Sequence, residues 1–149
     1  RMKRLHIHLS VEDLEANVRF YSALFESDPA VRHPDYAKWM LEDPKVNFAI
    51  SARGAPKGLD HLGIQVESDS ELSQMEARLT EAALPVIEEK GTACCYAESD
   101  KYWTQDPQGI PWEAFHSLGS IPVFGAKPVA LIREEQSACC APKTRGGCC

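Results

Sequence analysis

The order of apolar and polar residues changes its period along the chain. Residues 5–11 alternate in the manner of a β-strand, which places His6, His8 and Ser10 on one face. The next segment, residues 12–25, follows a helical period, and its apolar positions are Leu14, Val18, Tyr21 and Phe25. The chain therefore begins with a strand followed by an amphipathic helix.

Two more strands complete the first half, and a second half repeats the order. Strands at 36–40 and 46–51 give a βαββ-type module. After a glycine-containing linker, the pattern predicts a strand at 61–66, a helix at about 71–84 and strands at 85–90, 96–104 and 111–116. Both helices follow capping signals, which are Ser10 with Asp13 and Ser68 with Glu71.

The two halves also match by residue. An offset of 61 minus 6, or 55, sets His6 over His61 and aligns Leu9 with Ile64, Val11 with Val66 and Glu12 with Glu67. Such modules cannot bury their sheets alone, so they are expected to pair. The sequence thus predicts an α+β fold in which two modules, about residues 4–53 and 60–116, form one curved sheet or half-open barrel.

Composition and charge restrict the class of function. The 149 residues suit one domain over 1–117, followed by a flexible, cysteine-containing extension over 118–149. The net charge of -6 argues against nucleic acid and anionic membranes as partners, because both select a basic surface. No apolar run approaches the roughly 20 residues of a membrane span, and no apolar signal core precedes the first strand. We therefore expect a cytoplasmic protein that acts on a small molecule.

Three residues in this pattern are candidate metal ligands. His6 and His61 occupy the same place in each repeat and would point into a shared concave face. Glu113 lies in an otherwise apolar strand, where a buried carboxylate is costly unless a cation compensates it. Two imidazoles and one carboxylate form the triad typical of non-haem Fe(II) oxygenases, which leaves positions open for O2 and substrate. The alternative is that both histidines are ordinary core residues and Glu113 a rim carboxylate.

All six cysteines occur in adjacent pairs: Cys94-Cys95, Cys139-Cys140 and Cys148-Cys149. Neighbouring cysteines make poor structural disulfides, whereas paired thiols in a reducing compartment indicate soft-metal or metalloid binding. Cys94 and Cys95 lie in a predicted loop between two strands, where they are either a binding pair or a chance pair of small residues. The other two pairs either scavenge metalloid or capture it and pass it to this loop.

Three further residues are possible accessory groups of the site. His8 shares the face of His6, although a cavity-lining histidine with a backbone partner would look the same. Tyr96 and Tyr102 could shape the pocket, but aromatic residues on strands more often belong to the core.

Three motifs carry a family resemblance. The first motif is His6-x-His8-Leu9-x-Val11-x-Asp13-Leu14, and Phe20-Tyr21 follows it. The second and third motifs are Asp60-His61-Leu62-Gly63 and Trp103-x-x-Asp106-Pro107-x-Gly109-x-x-Trp112-Glu113. Over residues 4 to about 116 the chain resembles the vicinal oxygen chelate superfamily of glyoxalases, bleomycin resistance proteins and dioxygenases. The resemblance implies paired βαβββ modules, with His6, His61 and Glu113 at the family's metal-ligand positions.

Two features narrow the resemblance to the carbon–arsenic lyases of this superfamily. Glyoxalase I typically adds a fourth ligand, a glutamate, from the last strand of its first module, but residues 46–51 contain no acid. Trivalent arsenic is thiophilic, and the vicinal substrate cysteines of the lyases correspond to Cys94 and Cys95. The resemblance therefore implies an Fe(II)-dependent dioxygenase that uses O2 to demethylate methylarsenite to arsenite.

Two other functions stay open at this point. One is a non-catalytic metalloid- or cadmium-binding resistance protein of the same fold, and the other is a glyoxalase-type lyase. The sequence also leaves the metal undetermined, because the same triad accepts Mn(II), Co(II), Ni(II) or Zn(II).

Overall fold

The periodic segments of the sequence form the elements that their patterns predict, in the order βαβββ repeated twice. The structure is a computed structural model that describes residues 3–94 and 97–120. Its elements are β1 (Arg4–Ser10), α1 (Leu14–Phe25), β2 (Val31–His33), β3 (Tyr36–Glu42), β4 (Lys45–Ser51), β5 (Gly58–Gln65), α2 (Asp69–Glu81), β6 (Ile87–Cys94), β7 (Ala97–Gln105) and β8 (Pro111–Ser120). The predicted α+β class with two repeated modules is confirmed.

Side chains with acceptor oxygens begin both helices. The Asp13 carboxylate accepts a hydrogen bond from the backbone N–H of Ala16, and the Ser68 hydroxyl accepts one from that of Glu71. Ser10 takes no part in capping, because its hydroxyl donates to the carbonyl of Ala55. Neither of the two helices in the described part of the chain is long and apolar enough to cross a membrane.

All eight described strands belong to one sheet, in the order β2-β3-β4-β1-β5-β8-β7-β6. The modules meet at the centre, where β1 pairs antiparallel with β5, while β1 is parallel to β4 and β5 is parallel to β8. The sequence pattern did not predict β2, because three residues are too few to show an alternation. Since β1 and β5 are neighbours, the histidines of both repeats are brought to the middle of the sheet.

Each module packs its helix on the sheet over a separate core. In the first module, α1 covers β3 and β4 around Trp39, Phe48 and Ile50. In the second, α2 covers β7 and β8, and the core contains Leu72 and Tyr102. Beside this second core lies a cavity of about 500 Å³, bordered by α2, β5, β7 and β8. Another cavity, of about 410 Å³, borders α1 at Asn17 and Tyr21. The modules therefore differ in their cores, which contain six buried apolar side chains in the first module and four in the second among the described residues.

Candidate metal centre

Three neighbouring strands bring the two repeated histidines and one carboxylate to a single point. His6 Nε2 on β1 and His61 Nε2 on β5 are 3.2 Å apart. Glu113 Oε2 on β8 lies 3.1 Å from His61 Nε2 and 3.7 Å from His6 Nε2. All three side chains are buried. The structure thus brings together the residues that the sequence nominated from both ends of the domain.

A glycine makes this approach possible. Gly63 on β5 pairs with Glu113 on β8 and lies opposite His6 on β1. A Cβ at this position would lie 2.5 Å from the backbone oxygen of Glu113 and 3.2 Å from Cδ2 of His6. Because such contacts are too short for any side chain, the strands could not hold this geometry with a larger residue.

Hydrogen bonds orient both imidazoles towards the shared point. His6 Nδ1 lies 3.1 Å from the carbonyl oxygen and 3.2 Å from Oδ1 of Asn47, and His61 Nδ1 lies 2.6 Å from Asp60 Oδ1. Since these partners accept hydrogen bonds, each Nδ1 carries a hydrogen and donates it. Each Nε2 is then available to bind a metal ion, an arrangement that protein metal sites commonly use.

The charges of the three groups are strongly coupled. Burial and the neighbouring His61 lower the pKa of His6 to about 4. Burial also disfavours the charged form of His61, yet its contacts with Asp60 and Glu113 raise its pKa to about 9. Burial opposes ionisation of Glu113, but Lys101 and the two histidines together lower its pKa to about 2. Near neutral pH, His61 is therefore protonated and Glu113 ionised.

A buried lysine completes the site. Lys101 on β7 is only 2% exposed, and its Nζ donates to Glu113 Oε1 at 2.7 Å. One carboxylate oxygen is thus held by the ammonium, while Oε2 faces the imidazoles. Lys101 was not predicted from the sequence, although the alternation of β7 places it on the same face as Trp103, which pairs with Glu113.

The donor spacing fits one metal ion. With metal–ligand bonds of about 2.1 Å, two donors at a right angle are about 3.0 Å apart. The three separations among His6, His61 and Glu113 are 3.1, 3.2 and 3.7 Å. A cation here would replace the Nε2 proton of His61, which lies between the same acceptors. The residues therefore suit a divalent ion that accepts nitrogen and oxygen donors.

Aromatic and polar side chains surround this point. His8 on β1 is buried, and its Nε2 lies 2.8 Å from the Ser51 hydroxyl oxygen. Phe115 packs against His6 and Trp103 against His61, both edge-to-face. Among the described residues, no hydrogen-bond partner reaches the buried Nε1 of Trp103. The ring of Trp103 therefore places a buried N–H donor near the imidazoles.

The remaining nominated residues lie apart from the triad or outside the described part of the chain. Tyr102 packs in the second core, on the opposite face of the sheet from Lys101 and Trp103. Cys94 is the last residue of β6, where its backbone pairs with Ala97 of β7. Outside the described residues lie Cys95, Tyr96, Cys139, Cys140, Cys148 and Cys149.

Known proteins match the chain along most of its length. A sequence profile described as the Glyoxalase/Bleomycin resistance protein/Dioxygenase superfamily matches residues 3–114. The chain is 38% identical to a protein of Bacillus sp. (strain MD1) named trivalent organoarsenical cleaving enzyme, over 99% of each sequence. It is 41% identical to the cadmium-induced protein CadI of Mycobacterium bovis, over 85% of this chain and 84% of that protein.

A solved structure also has this fold. A variant of homoprotocatechuate 2,3-dioxygenase from Brevibacterium fuscum superposes with a TM-score of 0.61 at 17% identity. The match covers 80% of this chain and 33% of the dioxygenase chain. At this level of identity the likeness shows a shared fold, and the chemistry must be argued from the site itself.

Proposed function

Because the chain belongs to the glyoxalase/bleomycin resistance protein/dioxygenase superfamily, we propose that it is an Fe(II)-dependent dioxygenase that cleaves the carbon–arsenic bond of trivalent organoarsenicals such as methylarsenite. The observation that carries the proposal is the buried convergence of His6, His61 and Glu113, with their donor atoms within 3.7 Å of one another. The relative named trivalent organoarsenical cleaving enzyme supports the substrate class.

In this proposal each residue of the site has a distinct task. His6, His61 and Glu113 would hold Fe(II), which would supply the redox chemistry that allows O2 to oxidise an organic carbon. Asn47 and Asp60 hold the two imidazoles in the orientation that presents Nε2. The lysine that binds Glu113 Oε1 restricts the carboxylate to one free oxygen. A set of three protein ligands would leave the ion accessible to O2 and substrate.

The overall reaction can be written in balance. Methylarsenous acid, CH3As(OH)2, and O2 give arsenous acid, As(OH)3, and formaldehyde. The carbon–arsenic bond breaks, the methyl carbon loses four electrons, and O2 gains them, while arsenic stays trivalent. One equivalent of O2 therefore suffices without an external reductant.

Cys94 and Cys95 are the proposed anchors for arsenic, because trivalent arsenic binds paired thiolates readily. Cys94 ends β6 and pairs with Ala97, six residues along β7 from Trp103, which pairs with Glu113. Six extended residues span about 20 Å. The anchor therefore delivers substrate to the triad only if the β6–β7 hairpin curves back over the site. Both strand pairings contain a register shift, an irregularity at which strands bend.

The decisive experiment is anaerobic reconstitution with Fe(II), addition of methylarsenite, and arsenic speciation before and after air is admitted. We expect arsenite and formaldehyde only after air is admitted, with one O2 consumed per arsenite formed. His61→Ala should form neither product and should not retain iron. The control is His116→Ala, which should react as the wild type does, because the His116 imidazole contacts Asp69 on α2 and not the triad.

Other outcomes of this experiment identify the competing functions. Turnover without air would contradict an oxygenase and favour a glyoxalase-type lyase. Stoichiometric binding of arsenical or cadmium without any product would instead favour a resistance protein that sequesters ions. The likeness to a cadmium-induced protein is the reason for testing this function.

The cysteine assignment is tested separately. Cys95→Ser should abolish cleavage of methylarsenite and leave Fe(II) binding unchanged, because the proposed metal donors are nitrogen and oxygen atoms of other residues. Cys140→Ser is the matched control, and we expect it to keep full activity at saturating substrate. Full activity in Cys95→Ser would rule out this cysteine as an arsenic anchor.

A further inference from the structure

The two modules place different residues at matched positions beside the triad. On β4, Ala49 lies opposite His8 of β1. On β8, Glu113 lies opposite Gly63 of β5, and Gly63 is the counterpart of His8 because 63 minus 8 is again 55. Ala49 is therefore the first-module counterpart of Glu113. One module pairs a glycine with a carboxylate, and the other pairs an imidazole with a methyl group.

The polar side chain therefore comes from a different strand in each module: from the last strand, β8, in the second module and from the first strand, β1, in the first module. In the second module, Gly63 leaves room for the Glu113 side chain to reach the centre of the sheet. In the first module, Ala49 has no long side chain, and the His8 imidazole is fully buried next to it. The His8 ring centroid lies 4.7 Å from that of His61 and 6.1 Å from that of His6. An imidazole thus lies where the module symmetry would place a second carboxylate.

We infer that His8 is a fourth protein donor to the metal ion, an inference that rests on the metal site proposed above. A ring nitrogen of His8 lies within 4.8 Å of donor atoms of His6 and His61. Two donors on opposite sides of an ion, each with a bond of about 2.1 Å, are about 4.2 Å apart, so a small shift closes the site. The Ser51 hydroxyl, 2.8 Å from His8 Nε2, restrains rotation of the ring.

A fourth donor changes what the site can do. Three imidazoles and one carboxylate leave two positions on a six-coordinate ion, which is enough for O2 and one substrate atom. Four protein donors also equal the usual coordination number of Zn(II). Zinc should therefore bind tightly and block the reaction, while a six-coordinate ion keeps the site open.

Zinc binding to the unmodified protein provides a direct test, because Zn(II) is diamagnetic. In protein labelled with ¹⁵N-histidine, nuclear magnetic resonance reports metal ligation for each imidazole. The chain has five histidines, so His33 and His116 serve as internal references. We expect ligated nitrogens on His6, His8 and His61. Ligation of only His6 and His61 would overturn the inference and leave the metal site intact, whereas no ligated histidine would overturn both.

Zinc affinity in variants gives a second readout. His8→Gln should weaken Zn(II) binding at least about tenfold, because even the loss of a residue that only orients a metal ligand costs about 10- to 100-fold. The matched control His116→Gln changes a histidine on the opposite face of the sheet and should bind zinc as the wild type does. Circular dichroism checks that each variant is folded. An unchanged dissociation constant in folded His8→Gln, with binding lost in His61→Gln, would exclude His8 as a donor without affecting the rest of the site.

Discussion

The two modules share one architecture but supply different polarity to the site. Among the described residues that hold the triad in place, the second module provides the charged ones, Asp60 and Lys101, together with Glu113 itself. The first module provides neutral partners, the amide of Asn47 for His6 and, beside the triad, the hydroxyl of Ser51 for His8. Strand register therefore sets where the groups meet, and side-chain identity decides which half contains the charge.

The modules also differ in packing. In the first, the rings of Tyr21, Phe25 and Trp39 surround Phe48, with centroids 4.5 to 6.0 Å from it. In the second, a cavity of about 500 Å³ lies beside the core. Open volume also borders α1, at Asn17 and Tyr21. Among the described residues, however, the first core contains six buried apolar side chains and the second contains four. We expect the first module to be the more sensitive to loss of core volume.

The largest effect should come from breaking the buried ion pair of the second module. Lys101→Met leaves the Glu113 carboxylate without its ammonium, and removing one partner of such a pair costs about 3–5 kcal/mol. Urea unfolding of the metal-free protein measures the loss. The double variant Lys101→Met/Glu113→Gln should recover most of it, because the buried carboxylate is then removed together with its ammonium partner. Arg32→Met, which removes the exposed partner of Glu15, is the control and should unfold as the wild type does.

Core truncation should separate the modules by packing. Ile50→Ala, in the filled core of the first module, should cost about 4 kcal/mol, near the top of the range for such changes. Ile64→Ala should cost about 2 kcal/mol, because Ile64 is only partly buried and already borders the cavity. Urea titrations of both variants and the wild type give the two losses in the free energy of unfolding to be compared. Equal losses would show that the cavity does not weaken the packing of the second module.

The polarity difference should appear in metal affinity. Asp60→Asn removes the carboxylate that orients His61, and we expect zinc binding to weaken about 10- to 100-fold. Asn47→Ala should weaken it tenfold at most, because the backbone carbonyl of residue 47 still accepts from His6 Nδ1. Competition against a chromophoric chelator measures both constants. A larger effect at Asn47 than at Asp60 would contradict this expectation and show that the neutral partner in the first module contributes more to metal binding than the charged partner in the second.

The smallest effect concerns a hydroxyl at the cavity. Thr104 Oγ1 is buried, and no described residue offers it a hydrogen bond. Thr104→Val keeps the shape and removes the unsatisfied group, so stability should rise by about 1 kcal/mol. Thr80→Val, at an exposed position of α2, is the control and should give no gain. Thermal and urea unfolding should agree, and a loss of stability would mean that the hydroxyl is satisfied.

Local periodicity predicted most of this fold. The elements differ from the predicted ones mainly at their ends, by the added strand β2, and by the extension of β8 to Ser120. Glu113 was found because an isolated acid in an apolar strand needs a partner. Lys101 was missed because a lysine between Asp100 and Tyr102 looks like a solvated residue until the neighbouring strand is known.

The sequence by itself predicted the order of all elements but β2, the repeat, and the three side chains that converge, because these depend on residues close together in the chain or on a simple offset. Tertiary structure alone decided that Asn47, 41 residues from His6, accepts a hydrogen bond from His6 Nδ1. It also decided that Lys101 donates a hydrogen bond to one oxygen of Glu113. Those contacts depend on the register between strands that are distant in sequence, which is set by packing rather than by any local pattern.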